Sequence, residues 1–170
     1  SVAIIAFIAT QGFSIITERS NSERLTAVKD RLYPTLDMTT VNQGQLKMME
    51  QQINGAVTTG DDQQLEATGE YLQTISQNLS RIGELNPDLA ERSRQLNEDL
   101  RTYYQTATRL ASSMIEGTAD FSKIGDEAAA NAKRLQKLHQ DLDSMRQQTL
   151  ERFQSAITGT VQASSKASTI

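Results

Sequence analysis

Apolar residues recur along the chain in alternating steps of three and four, the spacing that keeps one stripe of a helix against a neighbour. A first stretch gives Leu25, Val28 and Leu32, then Leu46, Met49, Ile53 and Val57, with Thr39 and Asn42 or Gln43 in the intervening positions. A second reads Leu65, Thr68, Leu72, Ile75, Leu79, Ile82. A third reads Leu89, Ser93, Leu96, Leu100, Tyr103, Ala107, Leu110, Met114, and a fourth Phe121, Ile124, Ala128, Asn131, Leu135, Leu138, Leu142, Met145. Three short breaks separate them. At Thr58–Asp62, Gly60 suits a left-handed helix end and Asp61 a cap. At Gly83–Asp88, Asn86 is the expected N-cap, with Pro87 in the first helical position. At Glu116–Asp120, Gly117 ends one helix and Thr118 is expected to cap the next.

The pattern predicts an all-α chain with helices near 3–58, 62–84, 88–116 and 119–165. Connections this short make successive helices antiparallel neighbours, so the expected fold is an elongated antiparallel four-helix bundle. The middle helices span about 35–43 Å at 1.5 Å per residue. The first and last are nearly twice as long. Both are expected to leave the same end of the bundle as a two-helix stalk, rooted near Tyr33-Pro34 and Met145. The stalk positions Leu25, Val28, Leu150 and Phe153 have no partners on the middle helices, which favours a homodimer that covers them.

Composition narrows the function. The 170 residues include no Cys or Trp and two Pro, and the formal net charge is −4. Basic residues are not clustered as a nucleic-acid backbone requires, so no nucleic-acid partner is expected. Without thiols, and with His139 the only histidine, neither a metal site nor a cofactor is expected. His139 flanks the stripe residue Leu138 and is read as a rim histidine; Met48 and Met49 are read as core filler. Asp61 and Asp62 are paired carboxylates at a capping position with nothing to orient them. No phosphate-cradling loop or nucleophile elbow is present, so no catalytic residues are assigned and no enzyme is expected.

Residues 1–17 carry no charge, and Val2 to Ala9 is continuously apolar. Residues 1–16 are read as the end of a transmembrane helix, 17–165 as the four-helix domain, and 166–170 as a tail leading toward a second membrane segment.

These features together resemble the extracytoplasmic four-helix sensor domain of bacterial methyl-accepting chemotaxis receptors and related sensor kinases. The residues that carry the resemblance are the apolar start and Arg31-Leu32-Tyr33-Pro34-Thr35-Leu36, then Ala56-Val57-Thr58-Thr59-Gly60-Asp61 and Gly83-Glu84-Leu85-Asn86-Pro87. Tyr103-Tyr104-Gln105-Thr106-Ala107 and Met114-Ile115-Glu116-Gly117 follow, before a long final helix. The resemblance implies a periplasmic domain of an inner-membrane homodimer that passes ligand or partner binding to its last helix. Histidine-kinase and cyclase-type receptors share that implication, and a passive helical spacer is the alternative outside signalling. Family members that bind amino acids hold the carboxylate with arginines on the first helix. Residues 42–57 offer only Lys47 as a base.

The expected ligand is therefore small and neutral or weakly polar, or else a periplasmic binding protein docks on the distal turns. Antiparallel pairing puts Met49, Gln52, Tyr103, Tyr104 and Asn131 at neighbouring heights, and these are the candidate ligand residues. A buried amide such as Asn131 must find partners or costs about 1–3 kcal/mol.

Overall fold

A computed structural model describes residues 18–168. The expected start of the first helix and residues 1–16 lie outside the described residues. All regular structure among the described residues is helical. The first helix runs through residues 18–27, a π-helical turn at Val28–Leu32 and α1 (Tyr33–Thr59). The second consists of α2 (Asp62–Ala67) and α3 (Gly69–Leu85), interrupted at Thr68. A 3-10 turn at Pro87–Leu89 leads into α4 (Ala90–Ile115), and α5 spans Phe121–Ser168. The chain is all-α and folds as a four-helix bundle.

The helix ends follow from a few residues. Gly60 and Gly117 have φ of 70° and 71°, the left-handed conformation that lets a helix stop without a Cβ clash. The carboxylate of Asp61 accepts the amides of Gln63 (3.0 Å) and Gln64 (3.1 Å) and so caps α2. Two caps differ from expectation. The Asn86 side chain makes no N-cap bond; its Nδ2 donates to the Ile82 carbonyl at 2.9 Å and closes the end of α3. Thr118 turns back to the Ser113 carbonyl, and Asp120 caps α5 instead, accepting from the Ser122 amide (3.1 Å) and hydroxyl (2.6 Å). The Ser122 hydroxyl, then Lys123, holds the Asp120 carboxyl below its ordinary range. Phe121 therefore starts α5 at the surface, 74% exposed, and not in the stripe where its spacing put it.

The described chain divides into two compact units. One is Asp37–Arg146; the other comprises the described parts of 1–36 and 147–170. The core of the 37–146 unit takes Leu46, Met49 and Ile53 from α1, Ile75, Leu79 and Ile82 from α3, Leu96, Leu100 and Tyr103 from α4, and Leu138, Leu142 and Met145 from α5. Each fully buried aliphatic side chain contributes about 1.5–3 kcal/mol before conformational entropy is counted. The polar stripe positions Thr39 and Asn42 are also buried. Asn42 Oδ1 accepts from Asn78 Nδ2 at 2.9 Å, a side-chain pair that fixes α1 against α3.

In the other unit Val28 and Leu32 are buried, Leu25 is half exposed, and the ring of Tyr33 lies 6.4 Å from that of Phe153. Leu150 and Phe153 are half-buried.

Candidate ligand site in the bundle

The five candidate residues all belong to the 37–146 unit and come from α1, α4 and α5. Met49 is fully buried and shares the apolar core with Tyr103. The polar members fall into two hydrogen-bonded groups.

The first group is organised by the interruption at Thr68. There the hydroxyl donates to the Leu65 carbonyl at 2.5 Å, the kind of local bond by which a threonine competes with helix continuation. The Tyr104 hydroxyl, from α4, hydrogen-bonds the Thr68 hydroxyl at 3.1 Å. Across the bundle Gln52 uses both ends of its amide. Its Nε2 donates to the Gln64 carbonyl at 3.0 Å, and its Oε1 accepts from the Tyr71 hydroxyl at 2.9 Å. Gln52 thus ties α1 to α2 and α3, and Tyr104 ties α4 to the junction between those two.

The second group surrounds Asn131. This side chain is 5% exposed. Its Nδ2 donates to the backbone carbonyl of Tyr103 at 3.2 Å, and its Oδ1 accepts from Arg134 at 2.9 Å. The amide engages the Tyr103 backbone and neither of the two phenols. The Tyr103 ring is buried, and burial, with the Glu50 carboxylate second, pushes its phenol up to about 12. Glu50 lies 3.4 Å from His139 Nε2, so a carboxylate on α1 faces an imidazole on α5. Glu50 and His139 are each 38% exposed, at the rim of the bundle.

Sequence reasoning missed Tyr71, Thr68 and Glu50 as members of these groups. Tyr71 adjoins the stripe residue Leu72, and a tyrosine beside a stripe carries a hydroxyl able to reach a polar group on a neighbouring helix. Thr68 stood in the stripe as a small core residue, and nothing in its spacing distinguishes a packed methyl from a hydroxyl that opens the helix.

The arrangement can hold helices in register and exclude water. A ligand entering between Gln52 and Tyr71, or beside Asn131, must replace a hydrogen bond already made, which selects for one carrying its own donors and acceptors. Tyr104 also borders an open groove between α2 and α4, lined by Leu65, Glu66, Thr108 and Arg109. Among the described residues, no three His, Asp or Glu side chains come together to hold a metal ion. Among the same residues, no helix is long and apolar enough to cross a membrane. The chain matches no family model, no curated protein and no solved structure.

Proposed function

We propose that this chain is the extracytoplasmic sensory domain of a transmembrane receptor, chemotactic in output, and that it does no catalysis. The observation that carries the reading is the way polar side chains at mid-bundle tie the first and last helices to each other and to the inner ones. Gln52 and Glu50 of α1 engage Tyr71 of α3 and His139 of α5, and Asn131 of α5 engages α4. A ligand shifts an equilibrium only through contacts that differ between two states. In this reading the groups on the first and last helices supply those contacts.

The bundle belongs to this reading as an elongated antiparallel one. Along α3 and α4 the bonded pairs run Thr68 with Tyr104 and Ser76 with Asn97, so numbers rise on one helix as they fall on the other. Tyr103 with Asn131 and Arg109 with Glu127 repeat the trend between α4 and α5, as do Gln43 with Asp143 and Glu50 with His139 between α1 and α5.

In this reading the domain lies in the periplasm, anchored in the bacterial inner membrane by flanking segments. It binds a small neutral or weakly polar ligand at Met49, Gln52, Tyr103, Tyr104 and Asn131, or else receives a periplasmic binding protein. Titration of neutral polar metabolites against the chain, read as thermal stabilisation, tests the site. A ligand at one hundred times its Kd stabilises by about 2.7 kcal/mol. Asn131→Leu should abolish that stabilisation with helical content intact. If the variant binds the same ligand with unchanged affinity, the site at Asn131 is wrong. If no ligand or binding protein stabilises either form, the chain is a passive spacer.

The stalk and homodimer are proposed on narrower grounds. Leu25 is 51% and Tyr33 59% exposed, whereas Val28 is 8% exposed and already covered by its own chain. A second copy would therefore cover Leu25 and Tyr33. Sedimentation equilibrium at rising concentration should show a weak dimer, and Leu25→Asp should weaken it further. A strictly monomeric wild type at millimolar concentration removes the dimer.

A further inference from the structure

The π-helical turn at Val28–Leu32 closes with the Tyr33 amide donating to the Val28 carbonyl, five residues back. Pro34 follows at once. Proline has no amide hydrogen, and inside a helix its ring collides with the carbonyl four residues earlier, here that of Asp30. Widening the turn before the proline moves that carbonyl aside. Such single wide turns are known adjustments within α-helices, and they are frequent at functional sites. The Thr35 hydroxyl donates to the Arg31 carbonyl at 2.6 Å, taking up one acceptor in the widened region.

The turn has a consequence for which side chains face inward. In a regular α-helix, Leu25 and Leu32 are seven residues apart and lie within about 20° of each other, so Leu25, Val28 and Leu32 form one stripe. The wide turn withholds most of one residue's rotation, about 70–100°, from everything upstream. The observed faces agree. Val28 and Leu32 are buried, and Leu25 stands 51% exposed. Arg24 is exposed as well, its guanidinium reaching along the last helix to within 3.4 Å of where a Cβ on Gly159 would sit. Asn21, three residues earlier, has its side-chain oxygen buried without a hydrogen-bond partner. The π register has therefore turned the apolar Leu25 out while the polar Asn21 is half-buried, the reverse of what hydrophobic burial favours for these two positions.

We infer that Val28–Leu32 is a register switch held in its wide form by Pro34, and that narrowing of the turn to α geometry rotates the segment upstream of Val28 so that Leu25 replaces Asn21 on the inward face. The wide form exposes Leu25 and the α form covers it. The switch belongs to this unit of the chain alone and stands whether or not the chain is a sensor.

The chain has no cysteine, so a single Leu25→Cys reports the register through thiol labelling. In the otherwise unchanged chain the introduced thiol should label rapidly. Pro34→Ala restores the missing donor and should slow labelling about tenfold, as for a thiol that must await local opening. Pro34→Gln restores the same donor and should slow labelling equally, so a folding defect of either variant leaves the other to decide. Deletion of Lys29, an exposed residue within the wide turn, removes the extra residue but keeps the upstream face where the wide turn put it, and should label as fast as the unchanged chain. Labelling is measured at a dilution where sedimentation shows monomer, so that protection by a second copy is not mistaken for rotation. Circular dichroism must show undiminished helix in the variant that is read. Unchanged labelling in a folded Pro34→Ala and a folded Pro34→Gln, or slowed labelling in a folded Lys29 deletion, overturns the switch.

Discussion

Leu100→Ala should cost about 2–5 kcal/mol of stability, seen as a lower urea midpoint at unchanged denaturant slope. Leu100 is 1% exposed and sits among core residues contributed by all four helices. Removing its isobutyl group forfeits the transfer free energy of the buried carbons and leaves a cavity beside side chains that are themselves fixed. Leu138 and Met49 are equally deep, and their helices are joined to neighbours by Asn131, Gln52 and Glu50, so inward collapse is restricted. A matched control separates this effect from leucine loss in general. Leu25 is 51% exposed, and Leu25→Ala should stay within about 0.5 kcal/mol of wild type. If the two variants are equally stable, the four-helix core is not the source of stability. If Leu100→Ala lowers the denaturant slope as well, the 37–146 unit no longer unfolds in one step.

How much of this was legible in the sequence depends on the kind of signal. Steps of three and four predicted four helices, and the middle two stripes are buried or half-buried at every position, from Leu65 to Ile82 and from Leu89 to Met114. Periodicity reports burial well because it follows from helix geometry alone. Gly60 and Gly117 were readable for a similar reason, since the left-handed conformation is costly for other residues.

What failed to show was anything decided by a single hydrogen bond. Asn86 and Thr118 have the composition of N-caps, yet each turns to a carbonyl of the preceding helix, because a carbonyl left open by the helix end competes for the same side chain. The π turn was hidden because Leu25, Val28 and Leu32 read smoothly as a stripe. Pro34 was visible, but its remedy was not. At the candidate site, height and face were legible for Met49, Tyr103 and Asn131, but the bonded atoms were not. Asn131 was placed level with Tyr103 and Tyr104, but that its amide bonds the Tyr103 carbonyl and Arg134 is a choice of atoms that no pattern of residue types encodes.

Tyr103 should make the protein lose stability in strong alkali. An ordinary tyrosine ionises near 10, and the phenol of Tyr103 is pushed up to about 12, first by burial of the ring and then by the negative charge of Glu50. Both causes oppose the phenolate, one by withholding water and the other by repulsion. As pH rises past 10 the unfolded chain gives up this proton while the folded chain retains it. The contribution is therefore fully present below pH 10 and falls away as pH climbs toward 12. Between pH 9 and pH 11.5 the loss is about 2 kcal/mol. The measurement is a difference between two chains. Urea unfolding of wild type and Tyr103→Phe at the two pH values cancels everything the two chains share and leaves the one phenol. Wild type should lose more stability than Tyr103→Phe, and Glu50→Gln should recover the smaller part of that excess. Equal losses in wild type and Tyr103→Phe would mean that the phenol ionises without penalty, and that its ring is not enclosed between the helices as described.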